Sequence, residues 1–527
     1  MPDLLLLQPA LSLEREDDEV NREYWAAMGN VGSLGGDLAS EPNLGLLYLA
    51  AVVKDAGWSV EVVDFHAMSQ QHIRDVLSSK SPRYVGITCM TFSSARALTL
   101  ARMCRTCYPE APIILGGVHP TAMAEEILEN APEVDYIVCG EGEVTLPVLL
   151  SILERGGDPS LVRGIALRDQ FGKPYRTPSR PLLTDLDSLP FPNYESVLAT
   201  GLPFTPRVLT ARGCFGMCSF CSQNITMYRN KYRCRRPAKV VDEVQWLRDS
   251  LGCNYIVFGD LTFMAMPQAA TEICNELIRR DLGIQFWCQT RADLLTPERA
   301  QLLKRAGCVQ VALGIESVVD NGNKGTLLSD ATAACKAAKD AGLNVQTYWI
   351  IGMPHETFDS ALHTIDFMGK MIQYGLTDVT HISVLVPYPG TPLWEHPEEH
   401  GIKLLSRDYS EYLMNCDSHG YGLPVYETQN LSRHQIYALW ELALATAAKH
   451  YRGIWSHINV QSQDRGRINL SGPSGLQSGY GRRFQLPVLS SHGACSTVDE
   501  DGQEYVQCHS ERSLPSERGC AGRNSQG

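Results

Sequence analysis

The chain has 527 residues, 44% of them hydrophobic, and 46 Lys and Arg stand against 59 Asp and Glu for a formal charge of −13. That length suits two or three domains, and the acidic balance, with no long Lys/Arg run, excludes a generic nucleic-acid grip, which needs basic surface to meet phosphate. No stretch approaches the roughly 20 apolar residues of a membrane span, and MPDLLLLQPALSLERED lacks the basic start of a signal peptide, so the expected location is cytoplasmic and the 17 cysteines read as thiols or metal ligands rather than disulfides.

In chain order the first half alternates strand and helix. LLLLQPA (4–10) reads as a buried strand, and PNLGLLYLAAVVKDAG (42–57) as a helix with Leu46, Leu49 and Val53 on one face. Strands follow at WSVEVVDF, RYVGITCM (83–90), APIILGGVH and VDYIVCGEGE, with helices at SSARALTLARMCRTCY and TLPVLLSILERGG. This rhythm predicts an α/β fold, a doubly wound parallel sheet over residues 1–150. Ligands of such sheets bind beyond the carboxyl ends of the strands. Thr88, Met90, Gly116, Gly117, His119, Gly140 and Glu141 fall there, and paired glycines admit a bulky ligand close to backbone. Residues 151–205 read as a connector with a short hairpin (RGIALRDQFGKPYRT) and a Pro-rich run.

The rhythm restarts at residue 207. PRVLTA, NYIVFGD, IQFWCQTR, VQVALGIES, NVQTYWIIGM and DVTHISVLV read as strands, with helices near 237–251, 267–281, 297–306, 329–341 and 357–374. They predict a partial (β/α)6 barrel over 206–393, its functional groups gathered at the carboxyl ends of the strands. Cys214, Cys218 and Cys221 follow the first strand, Asp260 the second, Gln289 and Arg291 the third, Glu316 the fourth, Gly352–Pro354 and Glu356 the fifth, and Tyr388–Thr391 the sixth. Residues 394–460 read as an aromatic, acidic cover and a helix opened by Ser432 and Gln435 in capping-box spacing. The Ser/Gly/Arg/Gln-rich stretch 461–527 is expected to be disordered.

ARGCFGMCSFCSQN (211–224) spaces its cysteines C-x3-C-x2-C. Thiolates are soft ligands that select zinc or iron–sulfur clusters. A structural zinc site is closed by four ligands, so the loop would need Cys234 or a distant histidine to make one. With three ligands it would leave one iron of a cubane cluster open to a substrate.

That spacing, on a loop after a first barrel strand, resembles the radical SAM superfamily. PNLGLLYLAA, Thr88–Met90 in place of Ser-x-Leu, the Gly116–Gly117 pair and DYIVCGEGE resemble the cobalamin-binding domain that precedes many of its members. Roughly residues 1–455 resemble a class B, cobalamin-dependent radical SAM enzyme, most like the C-methyltransferases of natural-product biosynthesis. The resemblance implies a [4Fe-4S] cluster on Cys214, Cys218 and Cys221, whose open iron chelates the amino and carboxylate groups of S-adenosylmethionine. It places Phe220 beside the adenine, Asp260 at the methionine amine, Arg291 toward the methionine carboxylate, Glu316 at the ribose and Gln289 among the residues that bind S-adenosylmethionine, and cobalamin against Thr88, Met90, Gly116, Gly117, His119, Gly140 and Glu141. No catalytic side chain beyond these cofactor contacts is assigned. DFHAMS (64–69) comes near the Asp-x-His-x-x-Gly that ligates cobalt, but it departs at Ser69 and follows the second strand, so His66 reads as a loop residue and no histidine is expected beneath the metal.

The implied reaction uses two molecules of S-adenosylmethionine. One methylates the cobalamin; the other is reduced to a 5′-deoxyadenosyl radical that takes hydrogen from the substrate, which then receives the methyl group. The expected partners are a small-molecule substrate, with carbon as acceptor and phosphorus as a rarer one, and a one-electron reductant such as flavodoxin or ferredoxin. A non-methylating cyclase or oxidoreductase of the same class, and a corrinoid sensor or carrier without catalysis, are the alternatives. The model requires the strand ends of the two domains to face each other.

Overall fold

The computed structural model describes residues 2–9, 42–65, 68–199, 204–318, 324–325, 327–412 and 423–462, with side chains to 451, and the backbone of three short strands further on. His66 and most of 461–527 lie outside the described residues. The chain forms two compact units, Met1–Gly472 and Pro473–Gly527. In the second, where disorder was expected, Val488–Leu489, Cys495–Val498 and Glu504–Gln507 pair antiparallel. No described helix is long and apolar enough to cross a membrane.

The first unit begins with β1 (Leu4–Gln8), whose run of leucines feeds two faces at once. Leu5 and Leu7 pack with Ile73 and Leu77 of α2 (Gln70–Ser78), Leu100 and Cys104 of α3 (Ser94–Cys107) and Ile127 of α4 (Val118–Asn130). Leu4 and Leu6 pack with Leu46 and Val53 of α1 (Leu44–Asp55) and Leu149 of α5 (Gly142–Glu154). A strand covered on both faces is apolar throughout, not alternating. With β2 (Val60–Asp64), β3 (Tyr84–Thr88), β4 (Ile113–Gly116) and β5 (Tyr136–Val138) it forms a parallel sheet in the order β2-β1-β3-β4-β5. The expected hairpin, β6 (Ile165–Arg168) and β7 (Pro174–Arg176), adds to the β5 edge antiparallel, so the sheet is mixed. Arg168 secures it there by donating to the carbonyls of Leu128 and Ala131 at the end of α4.

The second sheet has six parallel strands in the order β15-β14-β13-β12-β11-β8. These are β8 (Arg207–Val208), β11 (Tyr255–Phe258), β12 (Gln285–Arg291), β13 (Cys308–Glu316), β14 (Asn344–Ile351) and β15 (Val379–Val384). Between them run α6 (Pro237–Leu251), α7 (Pro267–Arg280), α8 (Pro297–Arg305), α9 (Leu328–Asp340) and α10 (Phe358–Gln373). On β12, Phe286, Cys288 and Thr290 are buried while Trp287, Gln289 and Arg291 between them stay half-buried. The face opposite the helices is therefore not filled by its own side chains. α11 (Arg433–Ser462) packs on α10 and β15 through Ile436, Leu439, Trp440, Ala443 and Ala447, and Trp440 donates to the Ile382 carbonyl at 3.1 Å.

The strand ends of the two sheets meet. The first turns of α4 touch the tight turn Gln223–Met227 behind the cysteine loop. A Cβ built on Gly390, after β15, would stand 3.3 Å from Cβ of Ala122 and 2.6 Å from Oγ1 of Thr226. These contacts join elements that follow the strands of both sheets.

Candidate active site

The cysteine loop rises from a stem that sequence patterning missed. β9 (Ala211–Arg212) and β10 (Arg233–Cys234) pair antiparallel, with Arg212 opposite Arg233. Gly213 leaves the stem at φ +87°, and a Cβ there would overlap the Lys231 carbonyl oxygen. Asn224, 2% exposed, ties the loop together. Its Oδ1 accepts from the Cys214 N–H at 2.9 Å, and its Nδ2 donates to the carbonyls of Cys214 at 3.2 Å and Gly216 at 3.1 Å.

All three loop cysteines are free and half-buried. Cys214 Sγ lies 3.4 Å from Thr262 Oγ1 and accepts from the Gly216 N–H at 3.3 Å. A Cβ on Gly216 would stand 3.4 Å from Cys218 Sγ, 3.5 Å from Cys214 Sγ and 3.5 Å from Nη1 of Arg291. Burial pushes the Cys218 thiol up to about 11 and raises that of Cys221. Cys234 sits exposed on the stem, and among the described residues no three His, Cys, Asp or Glu side chains converge as a single-ion site. Two of the three soft donors, Cys214 and Cys218, flank Gly216, and Cys221 follows on the same short loop; thiolates of this kind suit an iron–sulfur cluster or zinc.

Arg291 and Glu316 come to this loop; Asp260 is committed elsewhere. Arg291 forks onto Asp293 at 2.9 Å through Nε and Nη2, keeping Nη1 toward Gly216. Glu316, held at φ +69°, accepts from Lys324 Nζ at 2.6 Å, and Lys324 also donates to the Gly314 carbonyl. Lys324 favours the charged form of both Cys218 and Cys221; no spacing in NGNKGT announces it. Gln289 donates to the Asp260 carbonyl at 2.9 Å. Phe220 is half-buried against the core, whereas Phe215 and Met217 on the same loop are exposed.

Asp260, expected at the methionine amine, meets backbone and Thr210 in the structure. It is 2% exposed, and its Oδ1 accepts from the Thr210 N–H at 3.0 Å, Thr210 Oγ1 at 2.9 Å and the Ala211 N–H at 2.6 Å. The Gly259 N–H bonds to the Val208 carbonyl, so the side chain that follows faces the neighbouring backbone. Glu356 serves its own turn in the same way, accepting from the Gly352 N–H at 2.6 Å.

On the other side, Thr88 is half-buried at the end of β3, and Met90 is exposed. Gly117 sits at φ +117°, where a Cβ would come within 2.6 Å of the Cys89 carbonyl oxygen, and Gly116 precedes it on β4. Nothing lies within 4 Å of a Cβ on Gly140, whose N–H donates to Thr121 Oγ1. This bare strand-end backbone suits a large flat ligand. His119 is buried with its ring edge-on to Tyr409 at 4.6 Å, its Nδ1 without a hydrogen-bond partner among the described residues. Burial lowers its pKa to about 4. The Glu141 carboxylate is engaged by Arg212 and Arg233 of the stem. Burial works against its charge, but those hydrogen bonds hold it below the usual carboxylate range.

Comparison with known proteins agrees with this geometry. Residues 31–150 match the B12 binding domain and 208–368 the radical SAM superfamily. The chain is 30% identical over 382 residues to an uncharacterized methyltransferase of Pyrococcus horikoshii, covering 70% of this chain and 81% of that one. It is 31% identical over 403 residues to the anaerobic magnesium-protoporphyrin IX monomethyl ester cyclase of Rubrivivax gelatinosus, covering 73% and 71%. In fold it is similar to the radical S-adenosylmethionine methyltransferase TsrM of Kitasatospora setae, solved with cobalamin and a [4Fe-4S] cluster, at TM-score 0.63 and 18% identity over 85% of this chain and 89% of that one.

Proposed function

The chain belongs to the cobalamin-dependent radical SAM family, and on that premise we propose that it moves a methyl group from S-adenosylmethionine, by way of cobalamin, to an unactivated carbon of a small molecule. One observation carries the reading. The stem of the three-thiol loop is bonded to Glu141 at the end of β5, and α4 contacts the Gln223–Met227 turn behind that loop. Cys214, Cys218 and Cys221 would hold the [4Fe-4S] cluster; Gln289, Arg291, Glu316 and Phe220 would line S-adenosylmethionine; Thr88, Met90, Gly116, Gly117 and Gly140 would lie against cobalamin. When bound, the cluster supplies the electron that cleaves the sulfonium and cobalamin supplies a carrier for the methyl group. The protein contributes position and charge. Arg291 directs Nη1 at the cradle, where a guanidinium suits a carboxylate. Lys324 supplies compensating positive charge beside the thiolates and orients Glu316. The reductant would be a one-electron donor of the flavodoxin or ferredoxin type.

The test is anaerobic. The protein is reconstituted with iron, sulfide and hydroxocobalamin, then given reductant and methyl-deuterated S-adenosylmethionine, without any acceptor. The proposal expects deuterium on the corrinoid, S-adenosylhomocysteine and some 5′-deoxyadenosine by mass spectrometry. Deoxyadenosine without S-adenosylhomocysteine would instead favour a non-methylating reaction, the reading to which the cyclase relative points. Absence of both products would leave a corrinoid carrier.

A further inference from the structure

Glu141 joins the two halves of the first unit. It stands beside Gly140 on the turn that closes β5, on the corrinoid-facing side. Its Oε1 accepts from Arg212 Nη1 at 2.8 Å, and its two oxygens accept from Arg233 Nη1 at 3.0 and 2.8 Å. Arg212 Nη2 reaches Glu143 Oε1 at 2.5 Å. Arg233 also donates to the Leu183 carbonyl at 2.6 Å, and the Leu183 N–H donates back to Glu141 Oε2 at 3.1 Å. Two acids and two arginines cancel in charge, and their side chains are only 7%, 9% and 10% exposed. The Tyr48 ring lies 5.5 Å from the Arg212 guanidinium and the Tyr228 ring 5.8 Å from that of Arg233.

The placement matters more than the charge. Arg212 and Arg233 are partners across the stem, one on each arm, and Arg212 stands just before Gly213 and Cys214. A single carboxylate on the corrinoid-side turn thus holds both arms of the stem that carries the thiols. Ordering of that turn by a ligand and ordering of the stem by a cluster are linked through one group.

We propose that Glu141 is a positioning residue that couples the two cofactor sites, so that a corrinoid at the β5 turn favours the stem geometry that holds the cluster, and the cluster favours corrinoid binding by the same factor. The proposal rests on the reading of the chain as a B12-binding radical SAM enzyme. A group that merely held the fold together would weaken corrinoid binding equally with and without the cluster. A coupling group changes the ratio.

The experiment measures that ratio by anaerobic equilibrium dialysis of hydroxocobalamin against the full chain, with the cluster reconstituted and without it. The wild-type chain is expected to bind about tenfold tighter with the cluster, within the usual range of coupling between sites. Glu141→Gln is expected to bring the two affinities together. Glu125→Gln, which loosens an ion pair with Arg176 wholly inside the first sheet and its helices, is expected to keep the ratio. Arg233→Lys retains the charge but loses the reach of Nη1 to both Glu141 oxygens and the Leu183 carbonyl, and it gives a second reading, a reduced ratio, should Glu141→Gln not fold. Equal affinities in the wild type, or an unchanged ratio in Glu141→Gln and Arg233→Lys, would overturn the coupling. A chain that binds no hydroxocobalamin in either state would overturn the functional reading, and the coupling with it.

Discussion

Asp260 and His119 are both buried and titrate away from their ordinary ranges in opposite senses. Burial pushes Asp260 up to about 6 from 3.8, against the hydrogen bonds from Thr210 and Ala211. Between those values the folded chain holds more protons than the unfolded one, so this contribution to stability falls as pH rises. Burial lowers His119 to about 4 from 6.5. Over that window the folded chain holds fewer protons, so this contribution rises with pH and is lost as pH falls. Each displacement is worth about 3 kcal/mol, so the two nearly cancel in the wild type. Relative to wild type, Asp260→Asn is expected to gain stability from pH 4 to pH 6, and His119→Phe to lose it over the same range. Urea midpoints at a series of pH values read both slopes, and two slopes of the same sign would refute the assignment. Neither role was legible beforehand. An aspartate after a barrel strand and a histidine after a glycine pair read as ligand-facing; their protein partners, the backbone around Thr210 and the ring of Tyr409, come from distant positions that the pattern does not report.

At the level of elements, the cysteine loop depends on a stem of two-residue strands. Strands that short carry no periodic signal, and PRVLTA therefore read as one continuous strand. The devices that shape the loop above the stem are single residues: Gly213 at the exit and Asn224 across the loop. Gly213→Ala would force a Cβ into the Lys231 carbonyl at positive φ, a strain of at least about 1–3 kcal/mol. It is expected to lower iron bound per chain after reconstitution while far-UV circular dichroism stays that of the wild type. Asn224→Ala leaves the Cys214 N–H and two carbonyls without this partner, at about 1–3 kcal/mol for a buried group left unsatisfied. Its iron content is expected to fall as well. Full iron in both variants would mean that the thiols alone organise the loop. The longer elements were readable, because Val240, Val244 and Leu247 on α6, or the stripe of α11, repeat often enough to name a buried face.

Across the whole molecule, the connector and the corrinoid-side turn are both stitched to the barrel by buried charge. Asp187 in the connector meets Arg236 at 2.9 Å and Arg235 at 3.5 Å, and Arg235 turns to Glu243 at 2.5 Å. Glu141 and Glu143 meet the stem arginines. Removing one partner of a buried pair costs about 3–5 kcal/mol, so neither half is complete alone. Residues 1–205 expressed by themselves are expected to unfold at a much lower urea concentration than the same residues in the full chain. Hydrogen exchange in the full chain should show the two sheets opening together. Independent transitions at the same midpoints as the separated half would contradict this.

The amino-acid sequence by itself determined the alternation of strands and helices, the restart near residue 207, and the three thiols on one loop. These are local signals: side-chain period, turn chemistry and ligand spacing are written in neighbouring residues. The tertiary structure alone decided that α4 meets the turn behind the cysteine loop, that Asp260 and Glu141 bond to distant protein groups, and that Lys324 comes to Glu316. A carboxylate's partner is whatever cation or N–H the fold brings within about 3 Å. Glu141 lies 71 positions from Arg212 and 92 from Arg233, separations over which no periodicity reports proximity.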